Sequence, residues 1–450
     1  MKKILILPGI IMLSGLIITS IVAGSKKRTS KLKSSGEFEI EPATNFTHNL
    51  ASYKRKYNKA SEDSSTKLRP IEELGKKLFF DKNLSEPPGQ ACAACHDPAI
   101  GWSGPKEEFN KAGATYEGAV KGRFGNRRPP TAAYAGNSPV LHLDEEGSFV
   151  GGMFWDGRAT GEVLGDPLAE QAMAPFLNPL EQNNPDKRSV VLKVQKSSYA
   201  NLFRKVWGDD SLGEEIDVDK TYELIVRSIA AYERSTEVNP FSSKFDDFWR
   251  DAQKKGLKVE SIDESNWLQF KNMGLSEDEL KGLMLFNTKG ECSACHVLTS
   301  EGDQPPLFTD FTYDNLGVPK NPDNRFYLME RKWNPEGKGW VDKGLGGYLE
   351  GTEKYAKYAA ENYGKHKVPT LRNVDLRPNP GFVKAYMHNG FFKSLEDVVH
   401  FYNIRDTKEA NWPPPEVEEN VNKEEMGDLG LTPEEEKAIV LFMKTLSDKG

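Results

Sequence analysis

Two short segments decide the fold: Cys92-Ala93-Ala94-Cys95-His96 and Cys292-Ser293-Ala294-Cys295-His296. Each has the spacing C-x-x-C-H, which is typical of covalent attachment of a c-type haem. The two thiols bond to the haem, and the adjacent histidine coordinates the iron from one side. The chain contains four cysteines, all within these segments. A redox dithiol or half of a zinc site would explain one copy, but two complete copies predict two covalently bound haems c.

The N-terminus predicts an exported protein. Lys2-Lys3 precede an uncharged stretch over 4–24, and Val22-Ala23-Gly24 offers small residues for cleavage. We therefore predict a signal peptide over 1–24; an uncleaved N-terminal anchor, which would tether the protein to a membrane, is the alternative. Either form places the rest of the chain in the periplasm or otherwise outside the cytoplasmic membrane, where haem is attached covalently. Residues 25–66, rich in Lys, Ser, Thr and Glu, are predicted to form a flexible tether.

The remainder of the 450-residue chain repeats itself. Apolar residues at helical spacing predict a short helix before each haem segment, over 71–80 and 278–286. A further helix closes each copy, over 220–236 and 432–444, and the second of these opens with a capping-box sequence. The net charge of −7 argues against a nucleic-acid partner.

These features predict an all-α fold of two related domains with long irregular loops, over 67–250 and 267–450. Each domain binds one haem. The charged stretch 250–266 is predicted to be a linker, and the Pro- and Gly-rich stretch 303–351 an ordered excursion of the second domain.

The repeat also allows the residues expected on the far side of each haem to be compared. Residues 149–157 align without a gap with 382–390, which sets Trp155 opposite His388, and a second alignment sets Pro175 opposite Tyr402. A proline cannot coordinate a metal, so the haem of His96 is expected to have an open position. Tyr402 offers an oxygen ligand to the haem of His296. Core packing of Tyr402 is the simpler alternative, and three other side chains are rival ligands: Met387, His388 and His400.

Two polar residues near Pro175 suit an open haem. A carboxylate there could move a proton between the oxygens of bound peroxide, and Glu181 is the candidate. Gln171 could hydrogen-bond to that oxygen or position a water. From the residues alone, a solvated surface acid is the simpler interpretation of Glu181.

Together these residues resemble the bacterial dihaem cytochrome c peroxidase family, including its MauG-like branch. The resemblance spans roughly 67–448 and implies two tandem cytochrome c-like domains. It rests on both haem segments combined with four others: Phe154-Trp155-Asp156-Gly157-Arg158, Glu170-Gln171-Ala172, Asn178-Pro179-x-Glu181 and Leu371-Arg372-Asn373-Val374.

The resemblance implies roles for individual residues. Trp155 would lie between the two haems, and Gln171 and Glu181 would form the distal pair at the peroxidatic haem. Tyr402 stands where standard members have a methionine ligand; the MauG-like branch has a tyrosine there and a proline like Pro175 beside its open haem. Standard members also have a removable distal histidine before Pro-Thr, whereas this chain has no histidine between 101 and 130.

The resemblance also implies calcium between the domains, held by an asparagine before Pro-Thr. Here Arg127-Arg128 stand in that stretch, with Asn126 just ahead. The sequence therefore leaves a calcium site open but disfavours it.

The sequence thus predicts a peroxidase in which hydrogen peroxide reacts at the haem of His96 with help from Glu181. Oxidising equivalents would pass through Trp155 to the haem of His296 and Tyr402. A phenolate ligand lowers the reduction potential relative to methionine, which favours oxidation of a protein or peptide partner. One alternative is a peroxidase that detoxifies hydrogen peroxide with electrons from a small redox protein. The other is a non-catalytic dihaem electron carrier.

Overall fold

The computed structural model describes residues 67–300 and 302–449. The predicted signal peptide (1–24) and tether (25–66) lie outside the described residues. In chain order, the helices are α1 (Pro70–Phe80), α2 (Glu107–Lys111), α3 (Pro167–Leu177), α4 (Lys187–Gln195), α5 (Ala200–Trp207), α6 (Val218–Glu233), α7 (Lys244–Lys254), α8 (Glu277–Asn287), α9 (Gly344–Glu350), α10 (Leu395–Ile404) and α11 (Pro433–Lys444). The strands are β1 (His142–Leu143), β2 (Phe149–Val150), β3 (Tyr313–Asp314) and β4 (His366–Lys367).

The described chain is helix-rich with little strand, as predicted. Its two sheets are antiparallel two-residue pairs, β1 with β2 and β3 with β4. Each C-x-x-C segment forms a short 3₁₀ turn, at Cys92–Ala94 and Cys292–Ala294. Within the described residues, no helix combines the length and apolar character that a membrane span requires.

The four helices predicted from periodicity are confirmed as α1, α6, α8 and α11. Helix α1 has Pro70 in its first turn, where the missing amide hydrogen costs nothing. The capping box predicted for α11 is present, since Thr432 and Glu435 each accept a hydrogen bond from the other's backbone amide. Helix α6 ends at Glu233, short of the predicted 236, because the Ser235 amide turns back to the carbonyl of Tyr232.

The helices before and after each haem segment pack as a pair, α1 on α6 and α8 on α11. A glycine brings the two backbones of each pair into contact. A Cβ atom at Gly75 would lie 1.9 Å from the carbonyl oxygen of Ser228, and one at Gly282 would lie 1.9 Å from that of Ala438. The same close contact at the same point of both copies supports the internal repeat.

A second shared feature is the turn that contains Trp155 in the first copy and His388 in the second. The preceding residues, Phe154 and Met387, both have φ of +65°. Gly157 and Gly390 also have positive φ, and an isolated antiparallel bridge closes each turn. The gapless alignment of 149–157 with 382–390 therefore corresponds to one local structure built twice.

Buried apolar side chains form two main clusters. The first contains residues between Leu74 and Val238 and includes the packed faces of α1, α3 and α6. The second contains residues between Phe245 and Leu446 and includes α7, α8 and α11. A small third cluster combines side chains from both halves of the chain: Leu141, Phe149, Tyr313, Leu345, Leu349, Tyr355 and Ala359.

Two stretches that lacked clear periodicity are also packed. The stretch 250–266 begins in the last turns of α7 and continues beyond its end. It places Ala252, Val259 and Ile262 in the second cluster. The stretch 303–351 contains β3 and α9, and it contributes Tyr313, Leu345 and Leu349 to the third cluster.

The glycine contact between α8 and α11 predicts a stability effect. Alanine is intrinsically the better helix former, by up to about 1 kcal/mol. In Gly282→Ala, however, the new methyl group would overlap the carbonyl oxygen of Ala438. We expect a net loss of about 1–3 kcal/mol in the free energy of unfolding, measured by denaturant titration. Gly339→Ala, whose Cβ would meet open space, is the control; equal stability of the two variants would contradict this packing.

Candidate functional site

The histidine of each C-x-x-C-H segment is held by a main-chain carbonyl. Nδ1 of His96 lies 3.3 Å from the carbonyl oxygen of Trp102, and Nδ1 of His296 lies 2.8 Å from that of Phe308. Burial lowers the pKa of both imidazoles, which favours the neutral form that binds metals. With Nδ1 occupied, Nε2 is the nitrogen left to coordinate a metal.

The four cysteines are half-buried. Burial raises the pKa of Cys95 and of Cys292 to about 12, and it raises the pKa of Cys92 and Cys295 further. Thiols of this kind stay protonated and are poor nucleophiles, unlike those of a redox dithiol. Two such thiols beside one neutral histidine nitrogen fit a covalently attached haem.

Near the first segment, α3 presents Gln171 and Pro175 on one face. The two residues are four apart, so they lie one above the other, and both are half-buried. Among the described residues, the side-chain amide of Gln171 has no hydrogen-bond partner. Pro175 lacks the amide that would bond to the Gln171 carbonyl. The other face of α3 packs into the first cluster through Leu168, Ala169, Ala172 and Phe176.

Glu181 follows α3 in a tight turn. Its amide donates to the carbonyl of Asn178 (3.0 Å), and its own carbonyl accepts from the amide of Ala119 (2.7 Å). Gly118 permits this approach, because a Cβ there would lie 2.3 Å from the carbonyl oxygen of Leu180.

The surroundings of the Glu181 carboxylate are those of a half-buried acid. Burial raises its pKa, against the opposing charge of Arg158 and a hydrogen bond from Asn178. After burial, the Glu181 charge is the largest influence that raises the pKa of the Cys95 thiol. Glu181 therefore lies close to the first haem segment rather than on an open surface.

Glu233, at the end of α6, is a second buried acid near that segment, and sequence reasoning missed it. It is 4% exposed, and its Oε2 has no partner within the described part of the chain. Burial raises its pKa to about 8. Its charge is, after burial, the main influence on the Cys92 thiol.

The second segment lines a cavity together with Tyr402. Cys292, Cys295 and His296 lie in its wall, as does Met387. The Tyr402 hydroxyl has no hydrogen-bond partner among the described residues. Burial, followed by the nearby Cys295 and Cys292 thiols, raises the pKa of that hydroxyl.

The rival ligands differ from Tyr402 in their surroundings. The His400 side chain is 48% exposed, and its Nδ1 lies 3.0 Å from the carboxylate of Glu436. His388 lies in the cavity wall but stacks on His366, with ring centroids 3.5 Å apart. Met387 and Tyr402 remain as cavity residues that are free of such contacts.

Trp155 reaches the same cavity from the first half of the chain. It is buried, and its Nε1 donates to the carbonyl oxygen of Arg128 (2.8 Å). Its ring centroid lies 6.5 Å from that of His388, the residue opposite it in the repeat. The two corresponding turns therefore meet at this point.

A buried ion-pair network lies beside Trp155. The Arg127 guanidinium donates to Asp156 (2.5 Å) and to both carboxylate oxygens of Asp342 (2.6 and 2.7 Å). Asp342 also forms a close group with His366 and His388. The Arg127 guanidinium already binds both oxygens of Asp342, whereas Nε2 of His366 and Nε2 of His388 have no hydrogen-bond partner among the described residues.

The stretch for which calcium was considered carries positive charge instead of oxygen ligands. Arg128 there donates through Nε to the carbonyl of Met387 (2.9 Å). Calcium requires oxygen ligands, most of them carboxylates or carbonyls. The residues of this stretch do not fit a calcium ion.

Sequence reasoning also missed three cations in the cavity wall: Arg128, Lys367 and Lys384. One signal was available, because Lys384 stands opposite Gly151 in the aligned repeat and interrupts an apolar run. The partners of these cations are distant in sequence, so their contacts needed the structure.

Comparison with known proteins identifies similar proteins. A family model described as di-haem cytochrome c peroxidase matches residues 69–254. The methylamine utilization protein MauG of Paracoccus denitrificans is 32% identical over 390 residues, which cover 84% of this chain and 88% of that protein. The cytochrome-c peroxidase IdrP2 of Denitromonas iodatirespirans is 26% identical, with 83% and 81% covered.

A solved structure is also similar. The diheme peroxidase BthA from Burkholderia thailandensis matches with a TM-score of 0.65 at 26% identity, over 85% of this chain and 89% of that one.

The ion-pair network predicts a pH-dependent stability effect. Burial is the largest single influence and would raise the pKa of Asp156 and Asp342. The Arg127 charge and hydrogen bonds, with Arg158 at Asp156 and His366 at Asp342, together outweigh burial and lower the pKa of both carboxyls. Their contribution to stability is therefore present above the unfolded pKa of about 3.9 and is lost as the pH falls through the folded values. Arg127→Met leaves the buried Asp342 without its arginine and leaves Asp156 with only the partly exposed Arg158, so we expect a loss of about 3–5 kcal/mol near neutral pH.

In the variant, the same two carboxyls should protonate more readily. The difference in the free energy of unfolding between the variant and the unchanged protein should therefore shrink as the pH falls. Thermal unfolding at several pH values measures this. Arg158→Met is the matched control, because Arg158 also pairs with Asp156 but is 37% exposed; it should cost less than about 1 kcal/mol. A deficit that stays constant with pH would contradict the assignment.

Proposed function

This chain belongs to the di-haem cytochrome c peroxidase family, and from that premise we propose that its two haem sites have different tasks. As a member it is an oxidoreductase of the peroxidase class that uses two haems. The domain of residues 67–250 would hold one haem and that of residues 267–450 the other. When bound, the haems supply the iron chemistry that reduces hydrogen peroxide and takes up oxidising equivalents.

The proposed ligands follow the repeat. Cys92, Cys95 and His96 hold the first haem, and Pro175 leaves its far side without a protein ligand. Cys292, Cys295 and His296 hold the second haem, and Tyr402 is its second axial ligand.

One observation carries the proposal: Pro175 and Tyr402 occupy corresponding positions, and only Tyr402 can bind a metal. The Tyr402 hydroxyl lines the cavity of the second segment and has no hydrogen-bond partner in the described part of the chain. Tyr402 is half-buried and lines this cavity, so its hydroxyl oxygen is available to a group bound there. Coordination to an iron ion would supply it with a partner.

Glu181 would move a proton at the first site. Its carboxylate accepts a proton from one oxygen of hydrogen peroxide and returns it to the other. Its raised pKa suits this exchange, because an effective acid–base group titrates near the working pH. The Gln171 amide, which lacks a partner among the described residues, would donate a hydrogen bond to the same oxygen.

Trp155 would carry oxidising equivalents between the sites, since an indole ring loses an electron more readily than an aliphatic side chain. It lies in the wall of the Tyr402 cavity although it belongs to the first half of the chain. An anionic oxygen ligand at the second site lowers the reduction potential. A lower potential makes reduction by a high-potential small cytochrome less favourable, so oxidising equivalents would be stored at this site until a protein or peptide partner outside the cytoplasmic membrane supplies electrons.

Glu181→Gln tests the proton transfer. The rate of peroxide consumption should fall by about 10²–10⁴-fold. In the unchanged protein that rate should rise with pH through the raised pKa of Glu181, above the ordinary value of about 4.3, and the variant should lose this dependence. Stopped-flow kinetics measure both. Glu145→Gln, at an exposed position, is the control, and an unchanged rate in Glu181→Gln would remove Glu181 from the reaction.

Tyr402→Phe tests the ligand. Loss of the phenol oxygen should change the resonance Raman and optical spectra of the second haem and leave those of the first unchanged. His400→Ala, two residues away on α10 and exposed, should leave both spectra unchanged. If Tyr402→Phe has the spectrum of the unchanged protein, Tyr402 is not a ligand.

A steady-state assay separates the proposal from detoxification with a small redox protein. We expect slow peroxide turnover with a reduced small cytochrome as donor, and peroxide-dependent mass changes in a co-purified protein partner. Fast turnover with the cytochrome, without prior reduction of the peroxidase, would favour detoxification.

A further inference from the structure

Three cations in the cavity wall have no acidic partner within the described residues. Lys384 is 5% exposed and donates to the carbonyls of Ile100, Asn373 and Leu376 at 3.0–3.1 Å. These three acceptors match the three donors of an ammonium group, although burial and the Arg128 charge lower the Lys384 pKa to about 7.

Lys367 and Arg128 are bound in the same way. Lys367 donates to main-chain carbonyls at 3.0 and 3.1 Å, and Arg128 to those of Met387 and Pro129. A charge in a protein interior is costly unless it is paired. Burial also lowers the pKa of Lys367 to about 7 and that of Arg128 to about 10. Arg128 is therefore the group of the three that keeps its positive charge at neutral pH, held by main-chain carbonyls.

Of the three cations, Arg128 is the one that lies over the Trp155 ring. Its Cζ lies 5.4 Å from the centroid of the indole ring. Its backbone is fixed at both ends, because its carbonyl accepts from Nε1 of Trp155 (2.8 Å) and its amide donates to the carbonyl of His388 (2.8 Å). The Arg128 charge also contributes, after burial, to the lowered pKa of His96. One guanidinium thus lies beside Trp155, the second cavity and the first haem segment.

We propose that Arg128 is a positioning residue whose fixed positive charge holds the Trp155 ring and disfavours its oxidation. Trp155 then passes oxidising equivalents without retaining them. This inference rests on the proposed relay through Trp155. In this proposal, the Arg128 guanidinium takes the place of the calcium ion that was considered for this region.

The electrostatics of an arginine over an indole ring give the direction. The neutral ring is attracted to the guanidinium through its π electrons. When the ring loses one electron it carries a positive charge, and the attraction becomes a repulsion. At this separation, the repulsion disfavours the ring cation by roughly 100-fold if the effective dielectric constant is about 20.

The neighbouring acids have partners other than Arg128. Asp156 pairs with Arg127 and Arg158, and Asp342 pairs with Arg127, so two guanidinium groups face these two carboxylates. Glu416, which also lines the cavity, accepts from the Asp342 amide (3.1 Å), and no ion pair joins it to Arg128 within the described residues. His388, which faces Trp155, has a pKa lowered to about 4 by burial and the His366 charge, so it is neutral.

The experiment compares Arg128→Met and Arg128→Gln, which remove the charge, with Arg128→Lys, which keeps it, in the haem-loaded protein. After one equivalent of hydrogen peroxide and rapid freezing, electron paramagnetic resonance detects an organic radical. We expect at least about tenfold more radical in both neutral variants than in the unchanged protein or Arg128→Lys. Adding Trp155→Phe to Arg128→Met should abolish it. Equal radical in neutral and charged variants would overturn the proposal.

A second readout needs no peroxide. Removal of a positive charge near both sites should make each haem harder to reduce. We expect a change of about tenfold in the reduction equilibrium, which is ~59 mV for one electron, in Arg128→Met and Arg128→Gln, and rescue by Arg128→Lys. Lys332→Met is the matched control, since Lys332 lies 5.2 Å from the Trp333 ring but is exposed. Unchanged potentials in both neutral variants would contradict the role of the charge.

The two readouts separate this inference from the proposed function. If the unchanged protein does not consume peroxide, the proposed function fails, and the potentials still test Arg128. Elemental analysis and treatment with a calcium chelator complete the test. We expect no stoichiometric calcium and unchanged potentials; a bound calcium whose removal shifts the potentials would overturn the claim that the chain supplies the cation.

Discussion

In both halves of the chain, a main-chain carbonyl holds Nδ1 of the histidine that follows the second cysteine. The residues that supply it, Trp102 and Phe308, have positive φ, which residues other than glycine rarely adopt. Each is stabilised by the recurring Pro-Thr, since Thr131 donates to the carbonyl of Gly101 (2.8 Å) and Thr370 to that of Leu307 (2.6 Å). These bonds leave Nε2 free, and the remaining functional residues are arranged around it.

The two halves share this scaffold but differ where a second ligand would approach. The helix packing, the shared turn and the threonine bond occur twice. Pro175 and Tyr402 do not match chemically, and neither do Trp155 and His388. In the proposed function, substitution at a few corresponding positions of one scaffold makes one site open to a small oxidant and the other closed by a phenol oxygen.

Local patterns in the sequence predicted most of the scaffold. The haem segments, the four paired helices and the alignment of Trp155 with His388 depend on short-range spacing, which a single sequence displays. The charge arrangement was not predictable, because Arg127 pairs with an aspartate 215 positions away and Lys384 bonds to the carbonyl of Ile100 across 284 positions. Main-chain acceptors have no sequence signature, so the cations beside Trp155 emerged only from the fold. The Glu181 pKa likewise depends on burial that its sequence neighbours do not reveal.

The difference between the two sites is tested most directly by electron paramagnetic resonance of the ferric protein as purified, before any reductant is added. We expect a high-spin signal from the haem of His96 and a low-spin signal from the haem of His296, in equal amounts. Two low-spin signals without a high-spin component would show that both irons have two strong axial ligands. That result would contradict the open site beside Pro175.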